Sequence, residues 1–287
     1  MNAINGAVTT LFDLALKPLE LLGRELALIL VSGVFGILAL IVFKHISSQR
    51  GIKAAKDKIK GHMIAIRIYQ DDLVVVVQSV GRVLARNAQY LGLNFGPFVP
   101  LAVPFVFVAA QMVTRYGFAP LPVVAPADVA NVLPGGGTLI RVELAKGHEA
   151  AAVGLQLSLP EGVRAVSPLV RVPARGLAFQ EVVATAAGVH ELEFRLADGT
   201  RETKTLVAGD ARAAMMQPER VRSFWLAMLW PAEAKFASDS PFTLIRLEYP
   251  ESELGWLPGG PTGILIVFVL ASMAFGFAML KPLGVQI

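Results

Sequence analysis

The sequence predicts an α-helical integral membrane protein: three transmembrane helices, a cytoplasmic helical hairpin, and an extracytoplasmic all-β, sandwich-like domain. Three observations carry that expectation. Apolar runs near the start, after the first third and at the end of the 287-residue chain each hold about 18 residues, enough for a thin hydrocarbon core. Nine Lys or Arg against three Asp lie between Lys44 and Arg86, directly between the first two runs. Lys and Arg in short loops at span ends favour the cytoplasmic side. Between the second and third runs the composition turns to Pro, Gly and short alternating stretches, the mark of turn-bounded strands.

The bulk numbers agree. The chain is 54% hydrophobic and 17% charged, with a mean hydropathy of +0.59, against about 25% charged in a typical soluble domain. Its net charge of +4 comes mostly from the basic loop. Because that charge flanks apolar runs, anionic lipid headgroups are its natural partner and specific nucleic-acid binding is not expected. The absence of cysteine excludes disulfides, thiolate catalysis and Cys-based metal sites.

Residues 1–23 place Ile4, Val8, Leu11, Phe12, Ala15, Leu19 and Leu22 at helical spacing, with Asp13, Lys17 and Glu20 on other faces. The segment is too charged to span and suits an amphipathic helix in the membrane interface, or a plain packing helix. Pro18 is expected to kink or divide it. Residues 25–44 form the first transmembrane helix; its charge-free part, LALILVSGVFGILALIVF, is about 27 Å long as a helix. KHISSQR follows it instead of a small-residue cleavage site, so a retained span is expected and not a signal peptide.

Residues 45–94 read as the cytoplasmic basic hairpin. Ile52, Ala55, Ile59, Met63 and Ile66 form one stripe; Leu73, Val77, Val80, Leu84 and Leu91 form another. Each is expected to face the other helix, and an Asp of the pair Asp71-Asp72 to cap the second. Lys53, Lys56, Lys58, Lys60 and Arg67 make a basic face, either solvated or set against lipid phosphates or a ribosome. Residues 95–116 form the second transmembrane helix. Pro97, Pro100 and Pro104 each remove a helical hydrogen bond, so it is kinked or starts late. Gln111 and Thr114 are polar near its outer end, where Arg115 can snorkel.

Residues 119–250 form the extracytoplasmic β domain. Ile140, Val142 and Leu144 alternate with charges; Val153, Leu155, Leu157 and Leu159 alternate with small or polar residues. Leu192, Phe194 and Leu196 lead into the turn dipeptide Asp198-Gly199. Ser223–Trp230 is too short to span and reads as an interface-skimming piece or a core helix; Phe242–Tyr249 reads as a further strand. Residues 262–281 form the third transmembrane helix, ending at Lys281 on the cytoplasmic side.

No chemistry-bearing constellation emerges. The four histidines (45, 62, 148 and 190) lack metal-ligand spacing, and Gly135-Gly136-Gly137 lacks the lysine of a phosphate loop. No serine has a G-x-S-x-G context. Neither an enzyme, a metal nor a cofactor is expected.

The order of parts resembles the YidC/Oxa superfamily of membrane insertases, in particular its small archaeal YidC-like members and the insertase subunit of the endoplasmic reticulum membrane complex. The likeness rests on the hairpin, on FGPFVPLAVPFVFVAAQM after it, and on Leu254-Gly255-Trp256 followed by ASMAFGFAMLKPLGV, about half the chain. It implies a three-helix groove open to cytoplasm and lipid and shielded by the hairpin. A polar client segment could enter such a groove without crossing hydrocarbon, at a saving of several kcal/mol. Family insertases usually carry a positive residue in the groove. Here the candidate groove polar residues are Ser32, Gln111, Thr114 and Ser272, and the β region is an addition to the small members' pattern.

The expected function is therefore an insertase-like protein or membrane chaperone, in the bilayer of a bacterial inner (cytoplasmic) membrane, acting on nascent or client membrane proteins. The alternative is a non-catalytic scaffold or subunit of a cell-envelope complex, with a partner at the β domain and docking through the hairpin. A polar cavity open to the cytoplasm favours the first reading, a sealed dry bundle the second.

Overall fold

The computed structural model describes residues 1–210 and 215–285. Its helices are α1 (Asn2–Glu20), α2 (Arg24–Ile46), α3 (Gln49–Ile68), α4 (Leu73–Phe95), α5 (Phe98–Tyr116), α6 (Gly260–Ala278) and α7 (Leu280–Leu283). Among the described residues, three stretches are long and apolar enough to cross a membrane: α2, the run Leu73–Tyr116 that contains α4 and α5, and α6. The strands, all between α5 and α6, are β1 (Thr138–Leu144), β2 (Gln156–Ser158), β3 (Val163–Ala165), β4 (Val170–Val172), β5 (Leu177–Ala184), β6 (Gly188–Arg195), β7 (Arg201–Ala208), β8 (Glu219–Val221) and β9 (Phe242–Leu247). The chain divides into two compact units, Met1–Leu28 with Val106–Val267, and Ile29–Phe105 with Phe268–Ile287.

The first unit contains the strands. They form a six-stranded antiparallel sheet in the order β3-β5-β1-β9-β8, with β4 also on β5, and a three-stranded sheet β2-β6-β7. In β1 the alternation read from sequence turns Ile140, Val142 and Leu144 inward. They meet Leu192, Phe194, Leu206 and Ala208 of the smaller sheet in one core, which makes the region a β-sandwich. The β6–β7 hairpin closes at Asp198-Gly199: the Asp198 carboxylate accepts from the Thr200 N–H at 2.8 Å, and Gly199 takes a positive φ of 88°. Lys204, on β7, is fully buried yet paired. Its ammonium donates to the Glu233 carboxylate and, at 2.6 Å, to the Gln217 carbonyl. Burial holds the Lys204 ammonium below the ordinary lysine range, while the Glu233 charge opposes that shift.

One β-region expectation is corrected. The alternation from Val153 is a 3₁₀ turn over Glu149–Gly154, followed by only three strand residues, Gln156–Ser158. At Gly154 a Cβ would sit 2.7 Å from the Ala197 side chain, so the backbone passes close to its neighbour there. The tryptophan-bearing segment is a short 3₁₀ turn at Leu226–Met228; Ala227 and Met228 are buried, whereas Phe224 and Trp225 are exposed.

The helices also depart from expectation. Pro18 does not divide α1, which runs unbroken from Asn2 to Glu20; the proline falls in the last turn and the helix ends two residues later. In the second unit, Ser48 caps α3 by accepting from Gly51 N–H at 3.3 Å. Asp72 caps α4 through the N–H groups of Val74 and Val75, at 3.0 and 3.1 Å. The α3 stripe largely faces the partner helix: Ile52 and Ala55 are buried, Ile59 and Ile66 half-buried, although Met63 is exposed.

The α4 stripe does not. Leu73, Val77, Val80, Leu84 and Leu91 are all exposed. The covered face instead carries Val76, Ser79, Val83, Arg86, Tyr90 and Asn94, about 100° further round the helix. Contacts locate it: the Lys56 ammonium lies 5.5 Å over the Tyr90 ring, and a Cβ at Gly51 would meet Leu93 at 3.3 Å. The opening run of α4, LVVVV, is apolar on every side, so periodicity alone could not choose its partner face.

Candidate functional site

The four candidate groove residues fall into two separate pairs. In the second unit, Ser272 Oγ donates to the Ser32 carbonyl at 2.9 Å, and both residues are buried. Around them α2 and α6 approach through small residues. A Cβ at Gly36 would run into the Ser272 carbonyl, and one at Gly33 would lie 2.7 Å from the Phe275 ring. This is small-residue helix packing reinforced by a buried hydroxyl.

In the first unit, Gln111 and Thr114 lie on α5. Thr114 Oγ1 turns back to the Ala110 carbonyl at 2.7 Å. Gln111 Nε2 donates to Thr9 Oγ1 on α1 at 2.9 Å and Gln111 Oε1 accepts from Arg115 Nε at 3.2 Å. Arg115 in turn pairs with Asp13 at 2.6 Å, and Tyr116 Oη donates to Glu20 at 2.8 Å. The order Thr9, Asp13, Glu20 matches Gln111, Arg115, Tyr116, so the two helices run in the same direction along a hydrogen-bonded ladder. Sequence reading identified the α5 half; its α1 partners, 102 residues away, leave no local signal.

Of the basic face, Lys53, Lys58, Lys60 and Arg67 are exposed, while Lys56 is half-buried over Tyr90.

The second unit contains a partly open cavity of about 400 Å³. Its walls come from Gly36, Leu40 and Phe43 of α2, Tyr90, Leu91, Asn94 and Phe95 of α4, Phe98 and Leu101 of α5, and Met273 and Phe277 of α6. Its lining contains none of Ser32, Gln111, Thr114 or Ser272. Phe98 stacks at 5.7 Å on Phe43 and at 6.0 Å on Phe95, which gives the site an aromatic wall. The exception to its apolar character is informative. Asn94 is buried and its Nδ2 donates to the Tyr90 carbonyl at 2.8 Å, but its Oδ1 has no partner. An orphaned buried acceptor costs about 1–3 kcal/mol. Asn94 Oδ1 is itself enclosed in the wall, so the surface the cavity presents is apolar. Sequence reading passed over these apolar residues; Asn94, the polar residue of LGLNFGPF, was the available signal.

A larger cavity, about 940 Å³, lies in the first unit and is of mixed polarity, lined by Asp13, Lys17, Glu20, Arg24, Arg115, Asp210 and Glu253 among others. Several of these charges are engaged: Asp13 by Arg115, Glu20 by Tyr116, and Arg24 through the Arg115 carbonyl at 3.3 Å and the Tyr116 ring at 5.4 Å. No protein family, curated protein or solved structure matches this chain.

Proposed function

We propose that the protein is a membrane chaperone of the insertase type, which holds an apolar segment of a client membrane protein during its insertion or assembly. The observation that carries this reading is the apolar cavity, walled jointly by the hairpin helix α4 and the span-length helices α2, α5 and α6. An apolar segment leaving water gains roughly 25 cal/mol per Å² buried. In this reading the basic loop lies in the cytoplasm of a bacterial inner membrane and the β-sandwich on the other side. The resemblance to YidC/Oxa insertases supports the arrangement. The apolar walls shift the emphasis from easing polar groups across the bilayer to sheltering apolar ones.

The test is photo-crosslinking in cells with labelled nascent membrane proteins, from probes at Leu40 and Phe98 in the cavity and at Gln111 in the α1–α5 ladder. Many short-lived crosslinks from 40 and 98, and none from 111, are the expected result. Crosslinks to one stable protein, or none to nascent chains, would instead establish the scaffold reading, in which the cavity receives a fixed partner of an envelope complex.

A further inference from the structure

Helix α1 is amphipathic in the reverse sense of a helix that packs on a water-soluble domain. At about 100° per residue, positions 2, 5, 9, 13, 16 and 20 share an arc of about 80°. All but Leu16 are polar, and that arc faces the protein. Asn2 Oδ1 accepts from the Lys235 N–H at 3.1 Å and Asn5 Nδ2 donates to the Ala227 carbonyl at 2.8 Å. Thr9, Asp13 and Glu20 form the ladder with α5. The outward side is apolar: Ile4 is 49% exposed, Leu11 65% and Leu14 76%.

The Asn5–Ala227 bond sets the first turns of α1 beside the 3₁₀ turn Leu226–Met228. That turn adds exposed Phe224 and Leu226, and Trp225 is 72% exposed. Phe224 and Trp225 meet edge to face at 5.4 Å. Beyond the end of α1, Leu21 and Leu22 stay exposed, and the chain enters the span-length helix α2 through Gly23, with exposed Leu26 continuing the apolar surface.

We infer that the outer face of α1 and the Trp225 turn form a single ledge that seats the first unit in the headgroup–acyl boundary of a phospholipid bilayer. The occupant is lipid for three reasons. The polar side of the helix is already engaged with the protein, so what remains to be covered is apolar. Tryptophan favours the membrane–water interface, and a helix with one apolar face lies in that plane. Finally, the surface is continuous with an apolar helix long enough to span, and exposed Lys17 stands at its edge within reach of phosphate. The inference is independent of the client reading, and loss of client crosslinks would leave it intact.

The test uses the full chain, which has no native cysteine to remove. Single variants Leu11→Cys, Leu14→Cys and Leu226→Cys, with Val189→Cys at an exposed position of β6 as the aqueous control, are spin-labelled in nanodiscs of phosphatidylethanolamine and phosphatidylglycerol. Positions 11, 14 and 226 are expected to collide several-fold more with oxygen than with a water-soluble nickel chelate, and position 189 to show the reverse. The same profile at all four positions would overturn the ledge. So would protection from both reagents, which would mean that protein, such as a second copy, covers the face. Lipid contact at 11 and 14 with water contact at 226 would overturn the joint seat and leave the helix alone.

Discussion

The two units differ in what joins their elements beyond apolar burial. The first adds ion pairs and buried hydrogen bonds to its sandwich core: Arg115 to Asp13, Tyr116 to Glu20, Lys204 to Glu233. The second relies on close approach. Gly33, Gly36 and Gly276 bring α2 and α6 together around one hydroxyl bond, and aromatic rings at Phe35, Phe105 and Phe268 pack at centroid distances of 5.1–6.2 Å. Where apolar helices have only lipid as the alternative neighbour, expelling water offers little, and shape complementarity carries association. Charged pairs contribute where solvent or a polar neighbour lowers the cost of their desolvation. Even there the partners differ: Lys204 is fully enclosed, whereas the Asp13 side chain remains 36% exposed.

The sharpest break of this contrast is at Lys204. Lys204→Met keeps the stem and removes the charge, which leaves a mostly buried Glu233 uncompensated. Thermal unfolding should show a loss of about 3–5 kcal/mol. The parent protein should also show a pH signature. Because burial lowers the Lys204 pKa, the unfolded state binds the extra proton between the folded value and the ordinary lysine value of about 10.4. Stability therefore rises with pH across that window, and the slope contributed by this group should vanish in Lys204→Met.

Next in size is Gly36→Leu. Its side chain has nowhere to go but into the Ser272 backbone, and the folded fraction in detergent should fall by the equivalent of about 3 kcal/mol. Smallest is Ser272→Ala, which removes only the bond to the Ser32 carbonyl; equilibrium unfolding should register about 0.6 kcal/mol. A loss from Ser272→Ala as large as that from Gly36→Leu would mean that polar bonds also dominate the second unit, and the contrast would collapse.

What the sequence made legible was whatever a short window contains. Three apolar runs, the alternation at Ile140–Leu144, the Asp72 cap and the Asp198-Gly199 turn each depend on neighbours within a few residues. The inward face of α4 was not legible, because Val74–Val77 are apolar all round and the choice of face is made by Lys56 and Gly51 on another helix. The candidate site was half legible. Of the expected groove residues, Ser272 bonds across helices to Ser32 and Gln111 bonds across helices to Thr9, while Thr114 turns back on its own helix. The cavity is lined instead by Leu, Phe and Met, residue types that carry no signal of their own in a chain this apolar.

The ladder between α1 and α5 also has a timetable. Thr9 and Asp13 leave the ribosome 102 residues ahead of Gln111 and Arg115. At about 5–20 residues per second, α1 waits roughly 5–20 s for the groups that complete its polar side. In the bilayer seat inferred above, its apolar face needs no such partner, so α1 would settle on the lipid surface first and the arrival of α5 would latch it. On that inference, assembly of the first unit would be ordered by synthesis, with the membrane as the holding surface and Arg115 as the late-closing bolt.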